Sequence, residues 1–306
     1  ARGFALNAAC RKAQTGLNPC IYFKNRDKAN ELMSWDPLDI EDLHRIAQRQ
    51  QLCPYYAGRD RASVADLIFM PYNYLIEEKI RENYEIGFNN SIIIFDEAHT
   101  LEGVAAKSLG LRLSQAGLRF DLQRLYHPKT GKGLLKYAQA AEAMDCAKKV
   151  LDEADDFFEN IGDAVTFGDW GRECRVRQPE LVENTLAGPL RECWTAIEEV
   201  AEETEEDTRK GELMEGARRL REMHGGLKMF LDQEDGGSVY WVEKSGYEGA
   251  SFTLNAAPVN MADRLRPLLF GLDKTCITTS ATLGTGDDQL SYFRERIGAQ
   301  HVPAVK

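Results

Sequence analysis

Two carboxylates stand side by side at Asp96-Glu97, followed by Ala98-His99 and preceded by the apolar run Ser91-Ile92-Ile93-Ile94-Phe95. Hydrolysis of a nucleoside triphosphate needs one carboxylate to hold Mg²⁺ and another to orient and deprotonate the attacking water. Adjacent residues at the end of a strand supply both. The rival reading is a polar strand-to-helix turn with Asp96 as a cap. A second motif, Ser280-Ala281-Thr282, follows Cys276-Ile277-Thr278-Thr279. Hydroxyls at a strand's end can bond a carboxylate near the γ-phosphate and a neighbouring loop together, which would pass nucleotide state to a second site. Hydroxyls also cap helices, so this motif gains meaning only beside the acidic one.

Cys10, Cys20 and Cys53 make a third constellation. They are spaced too widely for a ribbon of paired C-x-x-C knuckles, and Pro54 after Cys53 is a neighbour also seen beside cluster-ligating cysteines. Three thiolates fall one short of a four-cysteine iron-sulfur site. A zinc site recruiting His44, or three unrelated buried thiols, are the alternatives. Tyr55-Tyr56, Arg59 and Arg61 bring aromatic faces and guanidinium groups to one place, as single-stranded nucleic acid requires, although such residues also serve ordinary packing. Cys146, Cys174, Cys193 and Cys276 read as buried thiols, and the tryptophans as packing residues.

The elements that must position these groups follow from pattern. Ala65 to Met70 and Ser91 to Phe95 read as buried strands, Pro71 to Arg81 and Leu101 to Leu109 as helices. An apolar strand ending in carboxylates is the layout of a nucleotide-binding α/β sheet, whose ligands sit at the carboxyl ends of its strands. Residues 105–237 carry helical periodicity, for example Leu134, Tyr137, Ala138, Ala141 and Met144, and predict an inserted helical domain. Ser238 to Val242, Ser251 to Ala256 and Thr275 to Thr279 return to strand patterns and to the sheet. Residues 1–62 are broken by Gly16, Pro19, Pro37 and Pro54, which suits a small domain held by something other than a large core.

Composition sets bounds. The 306 residues allow about two domains. Seven cysteines, an odd number, do not suggest a disulfide framework, and no apolar run approaches the ~18 residues that span a bilayer. An intracellular protein without a membrane partner is the expectation. A net charge of -11 argues against a nucleic-acid partner until its distribution is considered. Much of the acid lies in two helical stretches, 142–159 and 198–206, whereas Arg2, Arg11, Lys12, Lys24, Arg26 and Lys28 give the start of the chain a basic bias. Those acidic stretches read as solvated helix faces, or as surfaces that repel DNA and define its path.

Leu52-Cys53-Pro54-Tyr55-Tyr56, the stretch Ala65 to Leu75 and Ile94 to His99, together with Leu254 to Pro258, Thr279 to Leu283 and Tyr292 to Arg296, resemble the superfamily 2 iron-sulfur DNA helicases, the group that includes XPD and DinG. The resemblance covers about residues 8–100 and 238–300. It implies an α/β fold that is part of a RecA-like parallel-sheet motor domain, with an iron-sulfur insertion at 1–62 and a mainly helical arch at 105–237. Motor segments would lie at 63–104 and 238–306. By the same resemblance Asp96 would hold Mg²⁺, Glu97 would activate water, and His99, Ser280 and Thr282 would couple hydrolysis to DNA. Cys10, Cys20 and Cys53 would hold three corners of a [4Fe-4S] cluster, and Tyr56, Arg59 and Arg61 would meet nucleic acid. ATP is the implied nucleotide, single-stranded DNA and duplex junctions the implied partners, with protein partners on the arch. The implied compartment is the nucleoid in a bacterium or the nucleus in a eukaryote. The family's phosphate-binding loop and first cluster cysteine are expected upstream of this chain and its second motor domain downstream, so the chain reads as a segment inactive by itself. The rivals are a translocase that does not unwind, a relative carrying a nuclease, a non-catalytic DNA-binding or docking module, and a zinc-stabilised binding domain.

Overall fold

The computed structural model describes residues 20–25, 28, 39–77, 80–81, 91–169, 171–246, 251–271, 275–283 and 290–304. Two compact units divide the chain, residues 1–87 and 88–306.

In the first unit, α1 (Ile21–Lys24), α2 (Ile40–Arg49), α3 (Pro54–Ala62) and α4 (Asn73–Ile76) are short. Asp39 starts α2 by accepting the Asp42 N–H at 2.7 Å, and Pro54 starts α3, where a missing N–H costs nothing. Ala47, Leu52 and Ala57 are fully buried against Leu43 and Ile46, a core of few side chains. Residues 65–71, expected to begin with a buried strand, form none, and Leu67 and Phe69 are 69% and 89% exposed. The apolar run there has no ladder partner among the described residues, and a strand without one leaves its backbone groups to water. Of the helix expected over 71–81, the described residues show the turn α4 and, after Glu77, helical Ile80 and Arg81; the Arg81 Nη1 donates back to the carbonyls of Leu75 and Ile76 at 2.7 and 3.1 Å.

In the second unit, β1 (Ile92–Phe95) leads through a 3₁₀ turn, Ala98–Thr100, into α5 (Leu101–Leu109), as expected. Then follow β2 (Leu111–Ser114), α6 (Gln115–Leu125), α7 (Leu134–Tyr137), α8 (Ala141–Ala164), β3 (Glu173–Val176), α9 (Ala187–Glu203), α10 (Asp207–Asp232), β4 (Ser238–Ser245), β5 (Ser251–Pro258), α11 (Ala262–Leu269), β6 (Thr275–Thr278) and α12 (Ser291–Ile297). The strands sort into two sheets. β1 and β6 pair in parallel, Ile92 opposite Thr275 through Phe95 opposite Thr278. The other sheet is antiparallel, in the order β2-β5-β4-β3.

The helical expectation for 105–237 holds in bulk and is corrected in two details. Two strands, β2 and β3, lie inside it, and the periodic run from Leu134 to Met144 breaks between α7 and α8, where Gln139 takes φ +56°. β4 and β5 do not return to the parallel pair. They join β2 and β3 in a sheet that straddles residue 237 and shares one core with the helices, including Phe157, Phe158, Leu190, Phe230, Val242 and Leu254. Hydrophobic periodicity registers a strand but not its partner, which is why the sheets could not be told apart from pattern.

β1 and β6 are also less buried than expected. Ile93 and Phe95 are buried, but Ile92, Ile94 and Ile277 are 68%, 60% and 48% exposed. Only one face of this parallel pair is covered among the described residues, although such sheets normally cover both.

Candidate active site

The ladder between β1 and β6 continues past their ends. The Thr279 N–H donates to the Phe95 carbonyl at 2.8 Å, and the Ala98 N–H donates to the Thr279 carbonyl at 2.9 Å. These two bonds fasten the acidic loop to the hydroxyl loop at the carboxyl ends of both strands, where α/β sheets present their chemistry. Ala98 is fully buried and its neighbours Asp96, Glu97 and His99 face outward.

Ser280 is the centre of the arrangement. Its Oγ donates to Glu97 Oε2 at 3.1 Å, lies 2.9 Å from His99 Nδ1 and accepts the Thr282 N–H at 3.3 Å. His99 Nδ1 is in turn 3.2 Å from Glu97 Oε2. The residues singled out at 97, 99, 280 and 282 therefore meet, although Ser280 and Glu97 are separated by 183 positions. Thr282 enters through its backbone N–H. Asp96 stands beside them, its Oδ1 accepting the Glu97 N–H at 3.0 Å.

Glu97 adopts φ +52°, ψ +43°, a left-handed conformation that costs a residue with a Cβ about 1–2 kcal/mol and persists only where surroundings impose it. Thr100 is part of that surrounding: its N–H and its Oγ1 both donate to the Glu97 carbonyl at 3.0 Å. Thr100 was not singled out in the sequence. A threonine three residues after a carboxylate at a strand's end, able to bond back to the i−3 carbonyl, was the available signal. The turn is fixed further along α5, where Glu102 pairs with Arg296, which also donates to the Val259 carbonyl at 2.9 Å. Asp96 and Glu97 offer exposed carboxylate oxygens on a constrained loop, the hard-oxygen donors that suit Mg²⁺. Beside them on β6, burial pushes the Cys276 thiol up to about 12, which keeps it in the protonated form at neutral pH.

The cysteine constellation falls in the first unit. Cys20 and Cys53 are half-buried free thiols. The Cys53 N–H donates to the Tyr22 carbonyl at 3.0 Å and the Lys24 N–H to the Cys20 carbonyl at 3.0 Å, so the two stretches are joined through one helical turn. Cys10 lies outside the described residues. Among those described, no group of three His, Cys, Asp or Glu residues is placed to hold a metal. His44, the zinc alternative, directs Nδ1 to the Ile40 carbonyl of its own helix at 3.1 Å. Tyr56, Arg59 and Arg61 lie on α3, all half-buried. The more exposed ring is Tyr55, 48% accessible, edge-on to Tyr56 with centroids 5.1 Å apart and with the Arg59 guanidinium 5.9 Å above it. Among the described residues no helix is long and apolar enough to cross a membrane.

Residues 1–118 match the DEAD_2 family. A Regulator of telomere elongation helicase 1 homolog from Caenorhabditis briggsae is 40% identical over 100 residues, 32% of this chain and 10% of the relative. One from Drosophila melanogaster is 34% identical over 120 residues, 39% of this chain and 11% of the relative. The chain thus spans about a tenth of the length of the curated relatives it matches. Among solved structures, one described as XPD_Helicase aligns with 90% of this chain and 44% of its own at 14% identity and a TM-score of 0.47.

Proposed function

We propose that this chain, whose residues 1–118 match the DEAD_2 family, is the central part of an ATP-driven, 5′-to-3′ DNA helicase and that Asp96 to His99 with Ser280 to Thr282 form the hydrolytic half of its nucleotide site. The observation that carries the reading is the Ser280 hydroxyl bonded at once to Glu97 and beside His99. It joins two motifs, from opposite ends of the unit, whose residue types suit phosphoryl transfer to water.

In this reading ATP and water give ADP and phosphate, with catalysis by positioning and charge rather than by a covalent intermediate. Asp96 would ligate Mg²⁺, which when bound neutralises charge on the phosphates. Glu97 would orient the attacking water and accept its proton, its side chain 60% exposed toward the space outside the strands. His99 and Ser280 would hold the Glu97 carboxylate in one orientation and relay its state to the β6 loop. In the first unit, Cys10, Cys20 and Cys53 would supply thiolates to a [4Fe-4S] cluster. The partly exposed thiols of Cys20 and Cys53, tied through the Tyr22 carbonyl, are compatible with that role. Tyr56, Arg59 and Arg61 would contact the single strand.

The test is ATP hydrolysis by the whole protein, with and without single-stranded DNA, beside a Glu97→Gln version. Strong stimulation by DNA, falling at least about a hundredfold in the variant, is expected for loss of a general base. Hydrolysis indifferent to both DNA and Glu97 would replace the motor with a binding module.

A further inference from the structure

The 20 residues between Asp121 and Glu142 contain no acid and four Lys or Arg, in a chain whose net charge is -11. One of the four, Arg124, faces Glu212 at 3.5 Å. The other three, Lys129, Lys132 and Lys136, are exposed, and among the described residues none makes an ion pair. Other exposed cations of the unit, Lys107 and Lys148 among them, also lack an ion pair among the described residues, so what sets these three apart is that they share one stretch without a carboxylate, whereas Lys149 and Lys228 lie beside acids that engage them.

The lysines sit on a built turn. The His127 N–H donates to the Lys132 carbonyl at 2.8 Å, and the N–H groups of Thr130 and Gly131 return to the His127 carbonyl at 3.2 and 2.9 Å. Gly133 closes the turn at φ +140°, where a Cβ would lie 2.4 Å from the Leu125 carbonyl oxygen, so the loop folds tightly back onto the end of α6. It hands the chain directly to α7, which presents Lys136 and, beside it, Tyr137 at 67% exposure. Three uncompensated ammonium groups and one exposed aromatic face on a short, hydrogen-bonded scaffold match a ligand with regularly spaced anions and stackable planar groups. Pro128, Lys129, Thr130, Gly131 and Lys132 offer no apolar face to enter a bilayer, and α7 is one turn long.

We infer that the 127–137 turn and helix form a second contact for single-stranded nucleic acid, with Lys129, Lys132 and Lys136 on successive phosphates and Tyr137 stacked on a base. The inference rests on the helicase reading for the identity of the polyanion and lies outside residues 1–118, the stretch matched by the family. Backbone contact of this kind is insensitive to base sequence and steeply sensitive to salt.

Anisotropy of a fluorescein-labelled single-stranded 20-mer tests it, using the full chain, the triple variant Lys129→Gln/Lys132→Gln/Lys136→Gln, the corresponding triple Arg variant, and Tyr137→Ala. Three lost phosphate contacts should lower the slope of log K against log salt by about 2 and weaken binding about tenfold or more at moderate salt, with unchanged thermal unfolding. The Arg variant should retain binding, and Tyr137→Ala should weaken it with the salt slope intact. Equal affinity and slope in the Gln variant, in a protein that does bind DNA, would overturn the assignment and leave the helicase reading standing. Failure of the unsubstituted chain to bind DNA, together with ATP hydrolysis by the whole protein indifferent to DNA, would overturn both. Capture on anionic phosphatidylserine vesicles, lost in the Gln variant while DNA binding persists, would reassign the turn to membranes.

Discussion

Ser280 has one hydroxyl hydrogen, and that fixes how protons are arranged around it. If the hydrogen goes to Glu97 Oε2, Ser280 must accept from the Thr282 N–H and from His99, which then carries its proton on Nδ1. A neutral His99 with that tautomer is sufficient, and its Nε2 remains an acceptor. Replacing Ser280 by Ala removes an interaction with a carboxylate, of the kind worth about 1.5–3 kcal/mol. ATP hydrolysis by the whole protein should accordingly fall about ten- to a hundredfold, and Ser280→Thr should recover most of it. Steady-state rates at saturating ATP check this; an alanine variant at the original rate would remove Ser280 from the proposed hydrolytic site. The legible part of the candidate site at this scale was the set of residue types: Asp96, Glu97, His99, Ser280 and Thr282 are nameable because carboxylates and hydroxyls following two apolar strands suit one chemistry together. Thr100 was not, since its contribution is a bond to backbone and depends on Glu97 having positive φ, a property no spacing reveals.

Between residue and domain stands α5, the helix that leaves the acidic loop. Leu101 and Ala105 are fully buried, and Gly110 ends the helix where a Cβ would meet the Ala106 carbonyl oxygen at 2.5 Å and the Ala256 carbonyl oxygen at 2.6 Å. The loop's supporting helix is thus pressed onto β5 at a point that tolerates only hydrogen. Gly110→Ala should cost about 1–3 kcal/mol through forced displacement, lowering the unfolding temperature by about 2–4 °C per kcal/mol in a unit of this size. Gly103, on the exposed side of the same helix with nothing within 4 Å, is the control: Gly103→Ala should stabilise by about 0.5–1 kcal/mol. Calorimetry of the two variants separates them by sign. α5 itself was readable from its periodicity, as were β1 and the long helices. The failures share a cause. Ala65 to Met70 carries an apolar run as strong as that of β1 but finds no ladder among the described residues, and β4 and β5 found theirs with β2 and β3 instead of with β1. Pairing is a long-range choice, and local sequence records only readiness for it.

Across the whole chain, 49 acidic residues face 38 basic ones; their pairing makes stability depend on pH at the acid end of the scale, and thiol burial makes it do so at the alkaline end. Glu215 bridges Arg218 at 2.7 Å and Arg219 at 2.9 Å, and Arg219 reaches on to Asp121 of α6 at 2.8 Å. The hydrogen bond from Arg218 first, then that from Arg219, pulls the Glu215 carboxyl down to about 2 from its ordinary 4.5. A depressed folded-state pKa adds stability that is complete above the unfolded value and disappears as pH falls from about 4.5 toward 2. Because the pair is about a third exposed, solvent screening leaves this near 1 kcal/mol. At the other end, burial raises the Cys193 thiol to about 12 from 9.0. The native state then keeps a proton that the unfolded chain releases, and stability declines as pH rises from 9 toward 12. Neither of these two groups changes stability between about pH 5 and 9, but burial first, then Arg191, holds His224 below its ordinary 6.5, so the unfolded chain takes up that proton first and stability also declines as pH falls below about 6.5. Neutralising 49 carboxylates in acid also leaves 38 Lys and Arg, joined by 5 protonated His, to repel one another, so acid unfolding by itself does not identify Glu215. The difference between the parent and Glu215→Gln does. Urea midpoints should differ in the parent's favour at pH 7 and converge by about pH 2–3; a gap that stays constant across that range would mean that Glu215 acts through packing and not through its charge.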